Sequence, residues 1–262
     1  MIVALIDSGL GMLPTGAWLR KLRPDIDLLL QMDPDGAPWG PKPEPWVIDR
    51  VLETARASLR EGAEVIVVPC NTASVTALEP LRAEVGPGIP VIGTVPAIKP
   101  AAAACRKVAV WATAATTASA YQADLIARFA GEAEVTGVAC HGLADAIDRG
   151  DLPAVTAAIT SAAARTPADT EGIVLGCTHY PLVIDAILAA LPPGIRVFDS
   201  AEAVAAQTLR RMDALGRPTA GTAVTRVLTS NRPGAMPAAA AAFDSGRLLG
   251  ATPHPLGSVP TA

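Results

Sequence analysis

Short apolar, often β-branched runs recur along the 262 residues, each followed by small or polar residues and then by a helical pattern. The runs cover residues 2–6, 26–30, 65–68, 90–92, 108–111, 135–138, 173–175, 195–198 and 224–228. Helix-like stretches include residues 46–61, 119–130, 152–165, 181–190 and 201–215. Buried strands of this length alternating with helices predict an α/β protein of mainly parallel sheet. No other feature narrows the fold as far.

One echo within the chain sharpens that expectation. Residues Glu64 to Thr72 (EVIVVPCNT) parallel Glu171 to His179 (EGIVLGCTH) at an offset of 107. Each reads as an acidic residue, a buried strand, Pro or Gly, then Cys and two polar residues. Val3 to Ser8 and Val108 to Thr113 repeat the pattern more loosely. Two similar α/β units account for both echoes. The break between them is placed near Val95–Pro100, where two prolines bracket the segment. Residues 201–262 should hold one helix and one further strand, ending in a loose Pro- and Gly-rich tail, 251–262.

Composition removes several classes of function. Half the residues are apolar and 18% are charged, enough for a large core and too apolar for wholesale disorder. A formal charge of -4 without a basic cluster speaks against nucleic acid and anionic membrane as partners. No apolar run approaches the ~18 residues of a membrane span and no signal-peptide pattern opens the chain, so the expected location is the cytoplasm. The four cysteines, Cys70, Cys105, Cys140 and Cys177, are widely spaced and should be free thiols. With no CxxC pair and only His141, His179 and His254 as imidazoles, no metal site is expected. No Gly-rich phosphate loop is present, and none of the four lysines, Lys21, Lys42, Lys99 and Lys107, is marked as a Schiff-base site. These two absences weigh against a nucleotide and against pyridoxal phosphate.

Ligands of open α/β sheets sit beyond the carboxyl ends of the strands. Cys70, Cys177 and Asp7-Ser8 all occupy that position. Two facing units would bring the two thiols to one cleft from opposite sides, which suits stereoinversion at an amino-acid Cα: one thiolate removes the proton and the opposite thiol returns one. One thiol must then reach the thiolate form, and a helix start after each Cys would favour it. His179 is placed to share a proton with Cys177, and Asp7 with Cys70. Thr and Asn neighbours offer donors for substrate carboxylates. Cys105 and Cys140 read as small buried residues, His254 as inert, and Asp7-Ser8-Gly9 alone could equally be a cap and turn. A papain-like Cys/His enzyme would show its own local signature, and thiol redox chemistry a resolving Cys; neither is found.

Three segments, Asp7-Ser8-Gly9-Leu10-Gly11, Cys70-Asn71-Thr72-Ala73-Ser74 and Gly176-Cys177-Thr178-His179-Tyr180-Pro181-Leu182, together resemble the cofactor-independent aspartate/glutamate racemase superfamily, in particular its glutamate racemases. Residues 37–44 resemble the family's Pro-Tyr-Gly loop, Thr113 and Thr116 its Gly-Thr-x-x-Thr segment, and 139–150 its Ala-Cys-Pro…Glu-x-Gly segment. The resemblance implies two pseudo-symmetric α/β domains, 1–95 plus 201–262 and 96–200, with the active site between them. It implies Cys70 and Cys177 as acid/base residues, assisted by Asp7, His179 and Asp148. Substrate would be held by Asp7, Ser8, Trp39, Gly40, Asn71, Thr72, Thr113, Thr116, Thr178 and His179. The implied partner is a small acidic amino acid, most simply glutamate, with D-glutamate supplied to peptidoglycan; a homodimer is compatible with the pattern. Alternatives are racemisation of aspartate or another acid, or a non-catalytic binding protein on the same scaffold.

The chain departs from the pattern at named positions. Met12 replaces the second Gly of a Gly-Gly pair, Pro69 precedes Cys70 where Ala is common, and Trp39 stands for Tyr. His141-Gly142 replaces a Pro-containing pair, and Asp148 is one methylene shorter than Glu. None of these touches the cysteine pair; Trp39 bears on substrate identity.

Overall fold

A computed structural model describes residues 1–216, 218 and 221–250. The nine apolar runs form the strands β1 (Ile2–Asp7), β2 (Asp27–Met32), β3 (Ala63–Val68), β4 (Val91–Gly93), β5 (Lys107–Ala112), β6 (Glu134–Ala139), β7 (Gly172–Leu175), β8 (Arg196–Phe198) and β9 (Thr225–Thr229). A tenth, β10 (Arg232–Pro233), pairs antiparallel with β9. They make a six-stranded sheet, β10-β9-β2-β1-β3-β4, and a four-stranded sheet, β6-β5-β7-β8. Every pairing except β9–β10 is parallel.

The order β2-β1-β3-β4 in one sheet is repeated as β6-β5-β7-β8 in the other. Thus β1 corresponds to β5 and β3 to β7, the two pairs of segments that echo in sequence. Their central strands are buried throughout, Val3 to Ile6 and Ala109 to Ala112 each at 0% exposure. That burial is why they read as continuous apolar runs rather than alternating ones.

The helices are α1 (Leu13–Leu22), α2 (Glu44–Arg60), α3 (Asn71–Thr76), α4 (Leu78–Val85), α5 (Ile98–Ala104), α6 (Ala114–Thr117), α7 (Ala120–Phe129), α8 (Leu143–Arg149), α9 (Leu152–Arg165), α10 (Ile184–Ala189), α11 (Ala201–Asp213) and α12 (Asp244–Gly250). Local chemistry sets several starts. Thr113, Ser119 and Asp151 accept from the backbone N–H of Thr116, Gln122 and Ala154, capping α6, α7 and α9. The helix expected over 181–190 is split: Tyr180–Val183 is a 3-10 turn, and only Ile184–Ala189 is α-helical. Val183, with φ -124 and ψ 27, is neither helical nor extended and separates the two pieces.

The C-terminal part contains more than one helix and one strand. Besides α11 and β9 it forms β10, a 3-10 turn at Ala238–Ala242 and α12, which packs on α1. Runs of alanine and glycine carry little periodic contrast, so these elements left no pattern to read. The tail 251–262, with His254, lies outside the described residues.

The largest apolar cluster runs through both sheets. It joins Val3, Leu5 and Leu30 to Ala109, Trp111 and Ile173 by way of Leu10, Met12 and Tyr180. Met12, the residue in the Gly-Gly position, is wholly buried there. Its side chain contributes about 1.5–3 kcal/mol of burial that a glycine would lack. The segment following β1 is thereby pinned between the sheets. No helix among the described residues is long and apolar enough to cross a membrane.

Candidate functional site

The carboxyl ends of β1, β3, β5, β6 and β7 converge on a cavity of about 250 Å³ between the two sheets. Asp7 and Ser8 end β1, Cys70 follows β3, Thr113 follows β5, Cys140 follows β6, and Cys177 follows β7. Trp39 and Gly40 approach from the loop between β2 and α2, and Asp148 from α8. Asn71, Thr72, Thr116, Thr178 and His179 complete the set. Every site residue read from the sequence therefore lies in the wall of one cavity.

Each thiol has its own ionisable neighbour. Cys177 Sγ lies 3.7 Å from His179 Nδ1, and His179 Nε2 lies 3.0 Å from Asp148 Oδ1. The same carboxylate oxygen accepts the Leu10 backbone N–H at 2.8 Å, so it ties the segment after β1 to α8. Burial alone would strip the proton from His179, but the Asp148 carboxylate outweighs it and holds the imidazole well above its usual range. Burial would likewise raise Asp148; the paired imidazolium keeps it below the usual carboxylate range. At neutral pH this half of the site is an ion pair.

The other half is different. Burial, reinforced by the Asp148 charge, raises Asp7 to about 7, against the pull of His179, the Ser8 N–H and Cys70. The Ser8 N–H donates to Asp7 Oδ1 at 2.8 Å, while Oδ2 is buried without a hydrogen-bond partner. Asp7 is no helix cap: the 3-10 turn Leu10–Met12 starts after Gly9 without a side-chain cap. Cys70 is also driven well above a free thiol, first by burial and then by Asp7. A helix start alone would favour the thiolate, and at Cys70 burial acts against it. Cys70 does sit at the N-terminus of α3, but that helix has only six residues, and desolvation overrides it. No α-helix starts directly after Cys177, only the 3-10 turn at Tyr180.

Two glycines make the closeness of these groups feasible. A Cβ on Gly11 would lie 2.5 Å from Asp7 Oδ2 and 2.6 Å from both His179 Nδ1 and Thr178 Oγ1. A Cβ on Gly9 would collide with the Asp148 carboxylate. The sequence showed these glycines as part of a motif without a role; the role is close approach of backbone to four polar side chains. Asn71 Nδ2 donates to the Gly176 carbonyl at 2.8 Å, a second bridge between the sheets.

The structure adds Cys140, His141 and Asp145 to the wall. Cys140 is buried, as expected of a small core residue, and its thiol is pushed up to about 12 mainly by that burial, yet it also borders the cavity. Its equivalence in the sheets was the missing signal: β6 corresponds to β2, whose end carries no cysteine. Gly142 has φ +70, a left-handed conformation that accounts for glycine in this departure from the family pattern. Cys105 lies away from the cavity, in the apolar cluster around Val108 and Val174. Among the described residues, no three His, Cys, Asp or Glu side chains are grouped to hold a metal ion.

The chain is similar to known proteins over most of its length. A family model described as Asp/Glu/Hydantoin racemase matches residues 25–208. Glutamate racemase of Methylococcus capsulatus is 38% identical over 221 residues, covering 82% of this chain and 80% of its own. Glutamate racemase of Pseudomonas putida is 37% identical over 243 residues, covering 89% and 90%. The crystal structure of Escherichia coli glutamate racemase, in complex with L-glutamate and activator UDP-MurNAc-ala, superposes with a TM-score of 0.78 at 32% identity. That alignment spans 92% of this chain and 91% of the other.

Proposed function

The chain belongs to the Asp/Glu/hydantoin racemase family, and from that premise we propose that it interconverts L- and D-glutamate with Cys70 and Cys177 as its two acid/base groups. The observation that carries this reading is the pairing of the two thiols: they follow the equivalent strands β3 and β7 and border one cavity. Two bases on opposite sides of one carbon are what inversion at Cα requires.

In the proposed cycle, one sulfur acts as thiolate and takes the Cα proton, leaving the electron pair on a carbanion delocalised into the α-carboxylate. The opposite thiol gives its proton to the other face. The products are the inverted amino acid, a thiol where there was a thiolate, and a thiolate where there was a thiol. His179, charged through Asp148, sits beside Cys177 and can balance a thiolate there. Asp7, titrating near neutrality, can exchange a proton with Cys70. The hydroxyls of Ser8, Thr72, Thr113, Thr116 and Thr178, with Asn71 and the backbone at Gly40, supply donors for two carboxylates. They line a space of amino-acid size.

Trp39 supports a second reading. It is wholly buried in the cavity wall, where the family pattern has Tyr, so a different acid such as aspartate would meet different contacts. A non-catalytic binding protein would show ligand-induced stabilisation without exchange. Division of the chain into domains 1–95 plus 201–262 and 96–200 belongs to the same proposal. So do action in the cytoplasm, supply of D-glutamate for peptidoglycan, and a homodimer. Incubation with L-glutamate, L-aspartate and related acids in deuterated water tests it. D-Glutamate carrying deuterium at Cα is expected, and absence of exchange with every acid would sink the proposal.

A further inference from the structure

Asp33, just beyond β2, is not in the wall of the cavity described above, and its buried carboxylate accepts four side-chain hydrogen bonds. Oδ2 accepts the Trp39 indole N–H at 2.9 Å and Arg50 Nε at 2.7 Å. Oδ1 accepts the second Arg50 nitrogen and the Ser230 hydroxyl, the latter at 3.1 Å. All four acceptor directions of a buried carboxylate are used, by donors from three elements: the loop after β2, helix α2 and the β9–β10 turn. The same residue's carbonyl accepts the N–H groups of Gly36 and Ala37, so the chain winds around it. A Cβ on Gly36 would strike the carboxylate, which explains glycine there.

The beneficiary is Trp39. Its ring belongs to the apolar cluster that contains Cys70, Ile6 and Val51, and it also faces the cavity. The bond to Asp33 ties the N–H edge of the indole to the helix and turn that hold the carboxylate. The turn that supplies Ser230 is itself anchored, since Asn231 donates to Glu53 of α2 at 2.9 Å and the Ser230 hydroxyl accepts the Asp35 N–H at 3.0 Å.

We propose that Asp33 is a positioning residue which, through the Trp39 indole N–H, fixes the cavity wall on the Cys70 side and thereby sets the length of acid that the site accepts. The proposal rests on the reading of the cavity as an acidic amino-acid site. Arg50 and Ser230 hold the carboxylate; Trp39 transmits its position to the substrate.

The test compares Asp33→Asn, which keeps the whole indole, with Trp39→Phe, which removes the N–H donor together with the five-membered ring of the indole. In protein labelled with ¹⁵N-tryptophan, the Trp39 indole resonance is identified by its absence from W39F. It should shift and lose protection from solvent exchange in D33N. With glutamate, both variants should show KM raised about tenfold, with kcat falling less than KM rises. Both should also discriminate less between glutamate and its neighbours one methylene shorter or longer. The proposal is overturned if D33N leaves the indole resonance in place. It is also overturned if D33N raises KM while W39F keeps the parent KM and selectivity, or if either variant loses only thermal stability. Should D33N fail to fold, Asp33→Glu, which keeps the charge and displaces the carboxylate by one methylene, takes its place, and an unmoved Trp39 indole resonance with unchanged KM and selectivity overturns the proposal. If the parent protein exchanges no acid at all, the racemase reading fails, while the indole resonance still reports on the Asp33–Trp39 link.

Discussion

Replacing Asp7 by Asn should make the protein more stable above neutral pH while damaging its activity. Asp7 is buried, one oxygen has no partner, and its pKa is raised from 3.8 to about 7. A carboxyl group raised on folding contributes stability that is fully present below pH 3.8 and is lost as pH rises through about 7. The loss spans 7 minus 3.8 units at 1.36 kcal/mol each, roughly 4 kcal/mol by pH 8. Asparagine cannot ionise and escapes this loss, but it leaves a buried amide N–H group where Oδ2 stood, at a cost of about 1–3 kcal/mol. The net expectation is a variant about 1–3 kcal/mol more stable at pH 8 and less stable than the parent at pH 4. Urea unfolding of both proteins at intervals from pH 4 to 8 measures the difference directly. A stability difference that does not change with pH would refute the reasoning, because it would mean that Asp7 ionises equally easily in the folded and unfolded chains.

Asp148→Asn keeps an acceptor for the Leu10 N–H but removes the charge that holds the proton on His179. The alkaline limb of its kcat/KM profile should move to lower pH, with activity near pH 8 reduced at least tenfold; an unchanged profile would contradict the ion pair. In stability, His179 contributes below pH 6.5 and loses that contribution as pH rises through its raised value. Asp148 contributes above pH 3.8 and loses it as pH falls through its lowered value, so the pair stabilises across the interval between, and D148N should flatten that part of the curve. Gly11→Ala would place a methyl group 2.5–2.6 Å from Asp7, Thr178 and His179. Activity should fall at least a hundredfold with about 1–3 kcal/mol of stability lost, and an active G11A would show the site looser than described.

The alternation of apolar runs placed nine strands, since buried parallel strands carry their signal in composition and length. The 107-residue echo between Cys70 and Cys177 anticipated a repeated sheet order, and the strand-end rule put both thiols at one cavity. What stayed hidden depends on distance through space. Nothing local shows that Asp33 would bind Trp39, or that Ser230, 197 residues later, would share its carboxylate. The environment of Cys70 is hidden for the same reason: a helix start is visible in sequence, whereas the depth of burial beside Asp7 is not. The roles of Gly9 and Gly11 emerge only once Asp148 and His179 arrive from other elements.

The two-thiol assignment is the centre of the account, and one measurement tests it most directly. Parent protein, Cys70→Ser and Cys177→Ser are each incubated with L-glutamate in deuterated water, and the product is resolved by chirality and mass. The parent should yield D-glutamate with one deuterium at Cα, and each serine variant should lose racemisation. Full activity in either variant would contradict the account.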